Sequence, residues 1–435
     1  MFACVALLSK ESAMLLPLLI LLGDLTVWEK VRTVRARILG LYVPLFLLAL
    51  FLAWLVFWEM PLRLEGVLSF SQSFVPPSRI LNRHDYLLTQ SVSLLEYVKL
   101  LFVPSDLNVF HQIPSVHSFG DVRLWCGLAA LVFLFWGAWA SRRRCPWIAF
   151  SIAWFVLTLL PSSSFVPLQL PFDEDRLYLP LFGFALGLIG TGLWLLKEAE
   201  RRGWLRLRRL LSWVPILMCI LYLPHDFLRM RVWADELRLW RMNARDEPGD
   251  ARAWVNLGNA WARRGRLPEA TSAFREALAL EPDYGAAHYF FGRALLDFQK
   301  PREARNELDL AFRLDTLPHD VLASLALASL AEQDSGRSAR YFLWSLDLAP
   351  GQPTNLRNLG KLLADERQPD AAEDVLKRAV FSEPWNPENK IRLAYLLWNH
   401  DRLREPALDL LRSALRSSPE DERAKLLLKE IQGAP

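Results

Sequence analysis

The chain has 435 residues, 52% of them hydrophobic, with 18 Trp, 25 Phe, a formal net charge of +4 and a mean hydropathy of +0.15. These values exclude a disordered chain, a disulfide-stapled secreted domain and a basic nucleic-acid binder, so nucleic acid is not an expected partner. Residues 1–225 carry 20 Lys+Arg against 14 Asp+Glu and residues 226–435 carry 31 against 33, which predicts a membrane half followed by a water-soluble half.

The chain opens on an apolar octet that runs into Ser9, Lys10 and Glu11. It has neither the basic start nor the small-residue cleavage site of a signal peptide, and it reads as the tail of a helix from a longer protein. Apolar stretches follow at 12–28, 38–58, 124–140, 145–160, 177–196 and 210–224. A bilayer core of about 30 Å takes roughly 20 such residues, so about six spans are expected, or five if 12–28, which contains Asp24, does not cross. Lys30, Arg32, Arg35 and Arg37, then Arg142, Arg143 and Arg144, then Lys197 and the arginines at 201, 202, 206, 208 and 209 fall in alternate connections. Basic connections stay cytoplasmic, which puts the soluble half on the far side, in a bacterial periplasm or an endoplasmic-reticulum lumen. Cys4, Cys126, Cys145 and Cys219 all lie in the apolar half without a CxxC pair and read as small buried hydrophobes.

After a linker helix at 226–250, the soluble half repeats every 34 residues. Trp254, Leu257, Gly258, Trp261, Ala270, Phe274, Ala277 and Pro282 fit the tetratricopeptide repeat (TPR) pattern. Gly292, Ala304, Leu308 and Ala311 renew it with Pro318 two places late. Leu325, Ala326, Phe342 and Pro350 follow, then Leu359, Gly360, Ala372, Leu376 and Pro384, then Leu393, Ala394, Ala407 and Pro419. The pattern predicts about five repeats over 251–419 and a capping helix or tail at 420–435. The fold class is therefore all-α: a polytopic helical membrane domain at 1–225 followed by a TPR α-solenoid. Such arrays bind an extended peptide or protein on their concave face, where Asn256, Asn259, Asn355 and Asn358 are the candidate contacts.

Chemistry has few other carriers, since the sequence holds no Gly-rich phosphate loop, HExxH or GxSxG. Lys10 and Glu11 interrupt an apolar run, where charge marks a pathway or an interface. The connection at 59–121 contains His84, Asp85, Asn108 and His111; a His and carboxylate pair can move a proton or hold a divalent metal ion, although no metal is firmly expected. The sharpest cluster is Asp173, Glu174, Asp175, Arg176, Leu177 and Tyr178, at the mouth of a span otherwise free of charge. The planar fork of Arg176 matches phosphate oxygens, and a neighbouring acid can orient it or assist a hydroxyl acceptor.

These residues, taken in order, resemble a family. The run 8–13 (Leu-Ser-Lys-Glu-Ser-Ala) with Pro17, then 86–90 (Tyr-Leu-Leu-Thr-Gln), 100–104 (Leu-Leu-Phe-Val-Pro) with Leu107 and Asn108, 159–164 (Leu-Leu-Pro-Ser-Ser-Ser), 174–180 (Glu-Asp-Arg-Leu-Tyr-Leu-Pro), Trp233, Leu239, Trp240 and the repeats are similar to GT-C class membrane glycosyltransferases with C-terminal TPRs. These include the transmembrane and TPR-containing O-mannosyltransferases and bacterial relatives. The resemblance implies transfer of a sugar from a polyprenyl-phosphate donor, a membrane lipid, to Ser or Thr of exported proteins presented by the TPRs. It makes Arg176 a donor-phosphate contact. The family's catalytic acids lie in a first far-side loop that has no counterpart in these 435 residues, so no catalytic residue is assigned. The alternative is a non-catalytic, membrane-anchored TPR scaffold.

Overall fold

A computed structural model describes residues 76, 81–103, 109, 111, 113–160, 171–400 and 403–433. The stretches 12–28 and 38–58, the Lys10 and Glu11 pair and Asn108 lie outside the described residues. Every regular element among the described residues is helical. The chain divides into two compact units, Met1–Ala253 and Trp254–Pro435.

The first unit contains α1 (Arg83–Phe102), α2 (Val122–Ser141), α3 (Pro146–Leu159), a 3-10 turn (Glu174–Leu177), α4 (Tyr178–Arg201), α5 (Leu205–Trp233) and α6 (Glu236–Asp246). Asn82 starts α1 by accepting from the Asp85 N–H at 2.8 Å, an ordinary N-cap. Tyr86, Thr89, Ser93, Tyr97 and Leu100 then recur every three or four residues and are buried. Asp121 caps α2, and α2 exposes Val132, Phe133, Phe135, Trp136 and Trp139. By length and composition, α2 and the stretch Glu174–Arg201 can cross a bilayer. The apolar helix expected at 145–160 is α3, whose 14 residues rise only about 21 Å, short of the roughly 30 Å core. The stretch 210–224 is the middle of the 29-residue α5, which continues to Trp233, so residues 226–233 close that helix and the separate connecting helix is α6.

Helices α3 and α4 meet along glycines. A Cβ at Gly183 would sit 2.1 Å from the Trp154 ring, at Gly187 2.3 Å from the Ser151 side chain, and at Gly190 2.0 Å from the Trp147 ring. Only a bare backbone permits that approach. The contact holds the start of α4 against the end of α3, where Trp154 Nε1 donates to the Leu179 carbonyl at 2.9 Å.

The second unit is a series of antiparallel helix pairs: α7 (Ala251–Arg263) with α8 (Leu267–Leu280), α9 (Gly285–Asp297) with α10 (Pro301–Arg313), α11 (Pro318–Ala331) with α12 (Ser335–Leu348), α13 (Pro353–Asp365) with α14 (Pro369–Ser382), α15 (Pro387–Asn399) with α16 (Arg404–Ser417), and a final α17 (Glu422–Gly433). The seam follows the repeat. A Cβ at Gly258 would meet the Phe274 ring at 2.9 Å, at Gly292 and Gly360 the side chains of Leu308 and Leu376 at 2.7 Å. Pro318 does not end a helix: it is the first residue of α11, following Leu317 in the left-handed region (φ 44°). Its fixed φ and missing N–H suit that position, which accounts for its displacement from the terminator register.

Candidate functional site

The cluster at the mouth of α4 is built on Phe172. This buried ring stacks on Tyr97 with centroids 4.5 Å apart and takes the edge of His111 at 5.0 Å. One carbonyl, that of Pro171, accepts from Gln90 Nε2 at 3.0 Å, Ser93 Oγ at 3.1 Å and Arg176 Nη1 at 3.3 Å. The Tyr97 hydroxyl sits 3.2 Å from both the backbone N and O of Asp173. Asp173 in turn caps the 3-10 turn by accepting from the Asp175 N–H at 3.1 Å. The side chains of α1 thus grip the backbone of the acidic loop at three successive residues.

Glu174 is the most tightly held acid. Its Oε1 lies 2.6 Å from His111 Nε2 and its Oε2 accepts from Arg229 Nη2 at 2.9 Å. The three side chains are 20%, 17% and 21% exposed, so the pairing is shielded from water on most sides. Arg229 comes from α5. His111 comes from the connection after α1, which is fastened nearby where the Val109 N–H donates to Asn243 Oδ1 at 2.9 Å. A carboxylate matched on both oxygens cannot also act as a free anion; it serves to fix the turn that carries Arg176. Asp175 and Tyr178 remain exposed, Tyr178 at 84%.

His84 and Asp85 form a separate group with His117, which sequence reasoning passed over. Asp85 Oδ1 is 3.0 Å from His84 Nδ1 and its Oδ2 is 2.6 Å from His117 Nδ1. Hydrogen bonds from His117, then His84, hold the Asp85 carboxyl below the usual carboxylate range. Among the described residues, no group of three His, Cys, Asp or Glu side chains is arranged to hold a metal ion. Sequence reasoning also missed Tyr97 and Arg229. Their partners lie 76 and 55 residues away, and neither residue stands in a motif.

In the repeats, Asn256, Asn259 and Asn358 are half-buried. Asn355 is buried and donates to Ser345 Oγ at 2.9 Å, while Ser345 Oγ donates to the His319 carbonyl at 2.7 Å. That bracket ties α11, α12 and α13 together and turns the Asn355 amide inward. A cavity of about 890 Å3 is lined from α13, α15 and α17 by Lys361, Asp365, Ile391, Tyr395, Arg423 and Leu426 among others.

His288 is a further inward-turned polar group, 8% exposed, with Nδ1 2.7 Å from Glu307 and Nε2 3.0 Å from the Pro282 carbonyl. Both partners are acceptors, so the ring is satisfied only when it carries two protons. Burial opposes the charge, yet the Glu307 carboxylate and the Pro282 carbonyl outweigh it and raise the pKa above 6.5. A raised folded pKa gives stability that is present below the unfolded value and lost as pH climbs through the folded one. The repeats are therefore expected to lose stability on going from about pH 6 to about pH 8. His288→Gln should flatten that dependence in urea titrations; an unchanged slope refutes the assignment.

Comparison with known proteins agrees with the helix pattern. The tetratricopeptide repeat family matches residues 251–284. The Protein O-mannosyl-transferase TMTC3 of Homo sapiens is 23% identical over 353 residues, 76% of this chain and 38% of that protein. The TMTC3 of Mus musculus is 24% identical over 310 residues, 65% of this chain and 32% of that protein. The crystal structure of YrrB, described as a TPR protein with an unusual peptide-binding site, shares 19% identity with a TM-score of 0.36, covering 44% of this chain and 97% of YrrB. The chain spans about a quarter to two fifths of the length of the curated relatives named first. Over that shared length, it is a low-identity homologue of the TPR-containing protein O-mannosyl-transferases.

Proposed function

We propose that this chain is the rear part of a membrane glycosyltransferase that moves a sugar from a polyprenyl-phosphate donor to Ser or Thr of exported proteins. In this reading, the helices up to α5 form a bundle of about six spans and the TPR unit, on the periplasmic or luminal side, receives the acceptor polypeptide. Arg176 meets the donor phosphate, where a guanidinium forms two parallel charge-assisted hydrogen bonds. Glu174, His111, Arg229 and Tyr97 are positioning residues for the turn that bears it.

The observation that supports this most is the bracing of that turn. Six side chains from α1, α5, the connection after α1 and the loop itself converge on residues 171–174, at the entrance of a 28-residue apolar helical stretch. Fixed geometry around one cation is what recognition of a charged headgroup at a bilayer surface requires. The α1–α4 group supplies no obvious general base, in keeping with catalytic acids outside it.

The test is Arg176→Ala in the native protein in its own membrane, with O-linked sugar on exported proteins read by mass spectrometry of intact glycopeptides. Loss of a preorganised charge contact predicts a fall of about 100-fold. Arg176→Lys should recover only part of it, because an ammonium lacks the fork. Unchanged glycosylation in Arg176→Ala removes the donor-phosphate role.

A further inference from the structure

Beside the braced turn, α1, α2 and the end of α3 enclose an apolar trench. One cavity of about 420 Å3 is walled by Leu87, Leu94, Trp125, Leu128, Leu131 and Leu160. Further along the same helices, a second cavity of about 270 Å3 is lined by Val98, Leu101, Leu134 and Phe155, with Leu188 from α4. From Leu87 to Leu101 the track follows α1 for about 21 Å. Its polar lining residues in the first cavity, Gln90, Ser91 and Tyr97, all come from α1, and two of them are the residues that hold Pro171 and Asp173. The polar side of the trench is thus continuous with the loop that carries Arg176.

We propose that this trench holds the single hydrocarbon chain of the prenyl-phosphate donor, with its phosphate turned toward the 171–176 loop; the proposal rests on the function argued above. Leu87, Trp125, Leu128 and Leu160 are exposed along the trench, so a chain enters sideways from the surrounding hydrocarbon rather than through a polar gate. Covering them removes apolar surface from contact with water at the membrane face. A glycerophospholipid brings two chains, whereas a furrow between two helices seats one. The length and the apolar walls suit one long, flexible chain, and a single cation loop beside it suits one phosphate.

The experiment uses the full chain in phosphatidylcholine nanodiscs and a polyprenyl phosphate bearing a diazirine on its chain, with adducts mapped by mass spectrometry. Adducts are expected on Leu87, Leu94, Leu128 and Leu131, competed by unlabelled polyprenyl phosphate. Leu128→Trp, which fills the trench, should lower them about tenfold, while Val132→Trp, on the same helix outside the trench lining and 67% exposed, should not. Leu87→Trp blocks the trench from the other wall and replaces Leu128→Trp if that variant does not fold. Trench adducts displaced equally by acyl phospholipids overturn the proposal by showing a site for any chain. Competable adducts confined to other helices overturn it and leave the donor reading standing. If no competable adduct forms anywhere, both fall.

Discussion

Phe274→Ala is expected to unfold the first TPRs while leaving the last ones folded. The Phe274 ring is fully buried, lies where a Cβ on Gly258 would come within 2.9 Å, and stacks on Phe291 with centroids 5.2 Å apart. It therefore bonds α8 both to its own partner helix and to α9 of the next repeat. Truncation removes transfer energy and leaves a void that two rigid glycine-paired helices cannot close, a cost of about 3–5 kcal/mol. That is a large part of the 5–15 kcal/mol that holds a typical domain. Because each repeat touches only its neighbours, the loss stays local. Hydrogen exchange on the full chain should show protection collapsing in α7, α8 and α9 and surviving in α15, α16 and α17. Phe381→Ala, at a ring 87% exposed, should change protection little. Equal effects from the two substitutions would contradict the seam described here.

The repeats were legible because their constraints are local and recur. Gly258, Gly292 and Gly360 each face a large side chain 16 residues later, Phe274, Leu308 and Leu376, so one steric requirement is written three times at the same spacing. Pro318 shows the limit of that reading. Its position depends on a left-handed turn at Leu317 and on Thr316 packed 1.8 Å from where a Cβ on Gly285 would lie, none of which a period of 34 encodes. The apolar half was legible as helices by charge-free length, but the shortness of α3 against the run 145–160 arises from Pro146 starting the helix and Leu159 ending it. At the site, His111 and Glu174 stood out separately by residue type. Nothing linked them, since 63 residues intervene. Arg229 was hidden for a different reason: it sits among apolar and basic neighbours at the end of α5, where Arg usually serves only to mark a membrane boundary. Asn355 misled because a polar residue on the first helix of a repeat looks available from sequence, whereas its amide closes a hydrogen bond within the core.

Glu174→Gln is expected to reduce sugar transfer about as much as loss of Arg176 itself, and by a different route. The substitution keeps the shape of the side chain and removes its charge. Arg229 and His111, 21% and 17% exposed, then face a neutral amide, and each charge-assisted hydrogen bond of this kind contributes about 1.5–3 kcal/mol. An amide offers one acceptor oxygen where the carboxylate offers two, so one of the two partners must be lost or met by an N–H donor. The turn Glu174–Leu177 loosens and Arg176 no longer rests at a fixed point on the Pro171 carbonyl. A displacement of about 1 Å at a positioning group is enough to cost on the order of 100-fold in rate. Three readouts separate this from general misfolding. Protection of α3 and α4 against hydrogen exchange should persist, because their contact rests on Gly183, Gly187 and Gly190. Glu174→Asp, one carbon shorter but still charged, should recover more activity than Glu174→Gln. Arg229→Met should mimic Glu174→Gln, and combining the two should cost less than the sum of the single effects, since both break one interaction. Full additivity in that double mutant would mean that Glu174 and Arg229 act independently, and the bracing assigned to them would be wrong.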